Sequence, residues 1–132
     1  MKVPLTVFNY RSQMARYKSG DPGIEYTRTT FVVLVRFLQN SKLLKRTIID
    51  DQGCFDENTV LREDDLTKDG LALFWGQFID KWLDQHDRGT EVSNVNRLAK
   101  ALEKIRSEGA QEFIKKTRYY LYHTDKKQSD PL

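Results

Sequence analysis

The side chains with intrinsic reactivity are few. Cys54 is the only thiol in the 132 residues, and His86 and His123 are the only imidazoles. A nucleophilic thiol needs a base within hydrogen-bond reach. Neither histidine is near Cys54 in sequence, so the expectation is an inert or semi-exposed thiol. Asp84, His86 and Asp87 gather metal-ligating types at one helix end. On a helix Asp84 and Asp87 share a face while His86 points elsewhere. The chain has no His-x-x-x-His, no Cys-x-x-Cys and no calcium-loop pattern. We therefore expect no catalytic residue, no metal and no cofactor, and read the chain as a binder rather than an enzyme.

Charge carries more information than reactivity. Residues 1–50 hold 9 Lys/Arg against 3 Asp/Glu, residues 51–89 hold 4 against 10, and residues 90–132 hold 9 against 6. This basic–acidic–basic order suggests complementarity within the fold or with a partner. A nucleic-acid binder more often shows one dominant basic stripe, so nucleic acid is disfavoured as a partner. In the acidic middle, Asp64, Asp65 and Asp69 stand where a helix N-terminus favours carboxylates. Asp50, Asp51, Asp56 and Glu57 have no such capping role in the sequence, and they are the first candidates for contacting a basic protein partner. The second candidate is the basic, aromatic stretch Lys115 to His123, with Arg118 and Tyr122 at its centre. Such interleaving suits phosphate and base contacts, and equally a terminal helix whose aromatics dock on the core.

These residues need elements to position them. Val7, Tyr10, Met14 and Tyr17 recur at helical spacing and Pro4 suits a first turn, so residues 4–18 read as helix, although Val3, Leu5 and Val7 also alternate like a strand. Gly20 to Gly23 read as a break. From about Thr27–Thr30 to Lys42, Phe31, Leu34, Val35 and Leu38 mark a wide apolar band, as in a central buried helix. Lys45–Asp50 and Asn58–Glu63 read as two strands of a β-hairpin, with residues 51–57 as its tip.

Thr67 is a natural N-cap, with Leu66 and Leu71 as a hydrophobic staple. One helix should then run through Leu71, Phe74, Trp75, Phe78, Ile79, Trp82 and Leu83 to Arg88-Gly89, with both tryptophans on its core face. Another should start at Ser93 or Asn94, bury Val95, Leu98, Ala99, Leu102 and Ile105, and stop at Gly109. A last helix should cover Ala110 to Tyr122. The fold class expected is mainly α with a small β-hairpin (α+β) and about five helices. Residues 1–124 should form one globular domain, with 125–132 as a flexible polar tail.

A single cysteine excludes an internal disulfide, and the start MKVPLTVFNY lacks a signal-peptide pattern. The most apolar run, Phe31 to Leu38, is too short to span a bilayer. The expectation is a cytoplasmic protein with no membrane role. Its oligomeric state is open.

Two resemblances bear on function. The stretch from Leu34 to Arg46, then the predicted hairpin, then Leu66-Thr67-Lys68-Asp69-Gly70, is similar to the helix–wing–helix order of winged helix-turn-helix regulators. That resemblance implies DNA binding. The run Asp65-Leu66-Thr67-Lys68-Asp69-Gly70-Leu71-Ala72-Leu73-Phe74, with Asp80-Lys81-Trp82-Leu83 and Asp87-Arg88-Gly89, resembles small bacterial immunity proteins encoded beside secreted toxins, including those of contact-dependent growth inhibition. It implies a cytosolic inhibitor that occludes the active surface of a cognate toxin domain. The immunity reading is preferred, with a winged-helix DNA-binding regulator as the alternative.

Overall fold

The computed structural model describes residues 4–86 and 95–116. It is mainly helical with one small antiparallel sheet, the α+β class expected. Strand β1 (Thr6–Asn9) is followed by helices α1 (Tyr10–Met14) and α2 (Pro22–Asn40). Then come strand β2 (Val60–Arg62), a 3-10 turn (Glu63–Asp65), α3 (Lys68–Trp75), α4 (Phe78–His86) and α5 (Asn96–Glu108). The backbone is helical again over 110–116.

The first expectation to fail is a helix over 4–18. The alternating pattern wins up to Asn9 and the helical one afterwards. β1 pairs with β2 in the register Thr6↔Arg62, Phe8↔Leu61 and Asn9↔Val60. Two residues of β1 thus oppose one of β2 between Thr6 and Phe8, a bulge, and the adjacent Val7 and Phe8 are both buried. Asn9 closes the strand and opens the helix: its Oδ1 accepts the Ser12 amide at 3.1 Å. Pro4 lies outside α1.

α2 begins about five residues before the apolar band suggested. Asp21 and Pro22, expected as part of a break, are its N-cap and first residue, and the Asp21 carboxylate accepts the Gly23 amide at 2.8 Å. That is the usual use of these two residue types at a helix start. Phe31, Leu34, Val35 and Leu38 are wholly buried. Buried Thr30 donates its hydroxyl to the Tyr26 carbonyl at 2.8 Å, which satisfies it inside the helix. The helix ends in a Schellman motif: Lys42 has φ +60°, its amide donates to the Gln39 carbonyl, and the Leu43 amide donates to the Leu38 carbonyl at 2.8 Å.

The predicted β-hairpin does not form. Residues 45–50 are not a strand, and β2 takes its partner from β1 instead. Next to the helix end, the chain pairs locally through a bridge between Leu44 and Leu66. The Lys45 amide donates to Asp65, and the Thr67 amide donates to Leu43. The reason lies in Ile48 and Ile49, consecutive residues that are both buried. A flat strand sends consecutive side chains to opposite faces, so it would expose one of them.

The single helix expected from Thr67 to Arg88 is two helices. Thr67 caps α3 as expected, its Oγ accepting the Gly70 amide at 3.4 Å. The helix then stops at Gly76, and Gln77 adopts φ +65°. A Cβ at Gly76 would lie 2.8 Å from rings of both Phe78 and Phe113. Those rings stand 5.9 Å apart, so aromatic packing from the C-terminal side fills the space. Trp75 and Trp82 therefore sit on different helices. Trp82 is only 2% exposed, while Trp75 is half-buried.

α5 packs across α3 and α4 and buries Leu98, Ala101, Leu102 and Ile105. It ends as expected at Gly109, where φ is +92°. Arg106 fastens it to the rest: its Nε donates to Asp69 at 3.2 Å and its Nη2 to the Ser41 carbonyl at 2.8 Å. α5 starts at Asn96 with Val95 as its N-cap, two or three residues later than the expected Ser93 or Asn94. The predicted helix end at Arg88-Gly89, residues 117–122 of the last helix and the 125–132 tail lie outside the described residues.

Because Trp82 lies in the cluster joining α3, α4 and α5, Trp82→Ala should lower stability by about 3–5 kcal/mol. Urea unfolding followed by circular dichroism checks this. An unchanged midpoint would mean that the indole carries no core packing.

Candidate functional site

The acidic segment that stood out in the sequence is an irregular loop with a fixed shape, built from α2 outward. Gln39, in the last turn of α2, turns its carboxamide toward the loop. Its Oε1 accepts the amides of Ile48 (2.6 Å) and Ile49 (2.7 Å), and its Nε2 donates to the Ile49 carbonyl at 3.0 Å. A side-chain amide thus takes the place of a strand neighbour. It satisfies backbone groups that would be costly to bury alone.

Asp50 follows at once and closes a five-residue turn. Its Oδ1 accepts the Gln52 amide (2.9 Å) and the Cys54 amide (2.8 Å), and its own amide donates to the Cys54 carbonyl. Phe55 then plugs the loop into the core. Its ring lies 5.0 Å from Tyr10 and 5.0 Å from Phe31, in a cluster completed by Phe8. Burial of Tyr10 in that cluster pushes its phenol above the ordinary value. Asp56 makes a second turn, its Oδ1 accepting the Asn58 amide at 2.8 Å. Glu57 pairs with Arg28 of α2 at 3.5 Å. Both partners are about half exposed, so the pair contributes little to stability.

The four candidate acids are therefore brought together on one loop, with a correction. Asp50 and Asp56 do have capping roles, and Glu57 has a cationic neighbour. All four remain exposed, and Asp51 has no partner among the described residues. Each turn-forming aspartate uses one carboxylate oxygen internally and keeps its charge outward. Arg36 lies against Gly53, so α2 supplies cations at the rim. The other two candidates, Arg118 and Tyr122, lie outside the described residues.

Asp65 and Asp69 serve structure. Asp65 holds Arg46 through two contacts, at 2.8 and 3.3 Å, and accepts the Arg62 amide at 2.9 Å. Burial alone would raise the Asp65 carboxyl. The Arg46 guanidinium and the Arg62 amide outweigh burial and hold it below the usual range. Cys54 is exposed, and the side chains of both histidines lie outside the described residues. Among the described residues no group of three or more His, Cys, Asp or Glu is placed to hold a metal ion, and no helix is long and apolar enough to cross a membrane.

Two hollows lie on the surface of the described residues. A cleft of about 400 Å³ between β1, α1 and α2 is lined by Asn9, Gln13, Arg16, Tyr17, Tyr26 and Thr27 among others. A groove of about 380 Å³ between α4 and α5 has Phe78, Trp82 and Ala101 as its floor and Lys81, Arg97, Lys100 and Lys104 as its rim. The groove was not anticipated from the sequence. Its signal was present as Arg97, Lys100, Ala101 and Lys104, one helical stripe of cations around a small residue.

Two outcomes test this geometry. Gln39→Leu leaves two buried amides unpaired and should cost about 2–4 kcal/mol. It should also speed hydrogen exchange at residues 48–54 far more than in α5; uniform exchange would show that the loop does not depend on Gln39. For Asp65 the lowered folded-state pKa means stability is present above the unfolded value of about 3.9 and lost as pH falls through the folded one. Asp65→Asn should therefore destabilise at pH 7, and the gap between its urea midpoint and that of the wild type should narrow as pH falls below the unfolded value and through the folded one. Compared with protein-family models, with curated proteins and with solved structures, the chain returned no match.

Proposed function

We propose that this chain is a binding protein of the immunity or antitoxin type, which neutralises a cognate toxin domain by direct contact. The observation that carries this reading is the preset acidic loop. Loops held by a rigid scaffold are where binding residues concentrate. Here Gln39, the Asp50 and Asp56 turns and the Phe55 plug fix the backbone before any partner arrives. A loop already ordered loses little conformational entropy on binding. Its outward carboxylates suit a partner with a basic surface, such as a toxin whose active site holds nucleic-acid phosphates. The same carboxylates would repel a DNA backbone, which weighs against the DNA-binding alternative.

The test uses the toxin domain whose gene, on this reading, should adjoin that of this chain. Asp51→Asn, Asp56→Asn and Glu57→Gln are combined. The Asp56→Asn substitution keeps a side-chain oxygen for the Asn58 amide, so the loop shape and the circular dichroism spectrum should be unchanged. Association measured by stopped flow at low salt should slow at least about tenfold, and the difference should shrink as salt rises. Equal rates at every salt concentration, or no complex with the toxin domain, would overturn the reading.

A further inference from the structure

From the α4–α5 groove we infer a second docking site, for an acidic amphipathic helix of a partner protein. It shares no residue with the acidic loop and has the opposite charge. The floor is Phe78, Trp82 and Ala101, with at least one side chain from each helix. The rim is four cations, Lys81 from α4 and Arg97, Lys100 and Lys104 from α5, all exposed. None of the four has a carboxylate partner within salt-bridge distance among the described residues. The acids of the same helices, Asp80, Asp84, Glu103 and Glu108, are not among its walls. At about 380 Å³ the groove falls within the usual range for ligand pockets, about 300–1,000 Å³.

The form of the groove selects the occupant. Its apolar floor is recessed and its cations protrude. A matching ligand projects large apolar side chains inward and carries carboxylates on both flanks. An amphipathic helix does this with apolar residues at i, i+3 or i+4 and i+7 and Glu or Asp beside them. Single-stranded nucleic acid fits poorly, because base stacking needs an open ring face: Trp82 is only 2% exposed, and the half-buried Phe78 ring already packs on Phe113. A bilayer fits poorly too, since membrane-surface binding needs apolar side chains that protrude. The apolar contact supplies affinity, while the cations supply orientation and encounter rate.

The experiment selects binders from a display library of random 16-residue peptides against the full chain. Selected peptides are then titrated by fluorescence anisotropy. The expected winners carry a net charge of about −3 or lower and two or more large apolar residues at helical spacing. Lys100→Glu with Lys104→Glu should weaken them at least about tenfold with an unchanged circular dichroism spectrum. Ala101→Leu, which fills the floor, should weaken them as well. The Asp51/Asp56/Glu57 variant should bind them like the wild type, which separates this site from the loop. Neutral or basic winners, or affinities indifferent to the Lys100/Lys104 reversal, would overturn the inference. So would tighter binding to a 20-nucleotide single strand or to phosphatidylserine vesicles than to any selected peptide. Concentration-dependent self-association lost in the Lys100/Lys104 variant, without peptide binding, would also overturn it and assign the groove to a second copy of this chain.

Discussion

The carboxamide of Gln39 sits where two parts of the chain meet without strand pairing. On one side is the end of α2, the helix that carries the core. On the other is the irregular segment that precedes β2. Three hydrogen bonds between one side chain and the backbone of Ile48 and Ile49 let both isoleucines face inward. A long loop without regular structure is normally costly to order. Here the cost is offset by two buried isoleucines and by the Phe55 ring in the Phe8–Tyr10–Phe31 cluster. The acidic turns between these anchors inherit a fixed position. Loosening the clamp would leave the acids on a free chain, with the same charge but no defined shape.

A second constraint ties the helices together. Lys42, in a left-handed conformation, reverses the chain after α2. The Ser41 carbonyl left over at that turn receives Arg106 from α5, and the same guanidinium reaches Asp69 in the first turn of α3. One arginine thus joins the end of α2, the start of α3 and the last turn of α5. Arg46 and Asp65 make a similar tie at the other side of the Leu44–Leu66 bridge. The acids of the middle segment consequently divide by task. Asp65 and Asp69 are held by arginines within the fold, while Asp50, Asp51, Asp56 and Glu57 keep charge at the surface.

The outcome is a molecule with two dissimilar faces. One is an acidic loop stiffened from below, with Arg28 and Arg36 at its edge. The other is a basic-rimmed apolar groove whose walls come from α4 and α5. The two differ in chemistry as well as in charge. The loop offers charge in a preset arrangement, and the groove offers a recess that excludes water from a large apolar side chain. Opposite charge on separate surfaces matches the basic–acidic–basic order of the chain, so that order is not fully consumed by internal pairing.

By itself the sequence determined the local events. Thr67 caps a helix because its hydroxyl reaches an amide three residues on, and Gly109 stops one because its backbone turns left-handed without strain. The apolar band of α2 followed from periodicity alone, as did Leu98, Leu102 and Ile105 of α5, although Ala101 is buried there where Val95 and Ala99 were expected and are only half-buried. The gathering of Asp50, Asp51, Asp56 and Glu57 also followed, since they are near neighbours in the chain. Tertiary structure decided whatever depended on distant partners. β2 could pair with residues 45–50 or with β1, and it pairs with β1, while the amides of Ile48 and Ile49 go to Gln39 and both isoleucines face the core. The long helix ends at Gly76, where Gln77 turns to φ +65° and only a glycine leaves room for the rings of Phe78 and of Phe113, 37 positions later. The groove existed in the sequence only as two separate stripes, on α4 and on α5. Hydrogen-bond caps and helical spacing are written within a few residues, whereas competition for one backbone amide or one volume is settled only when remote segments meet.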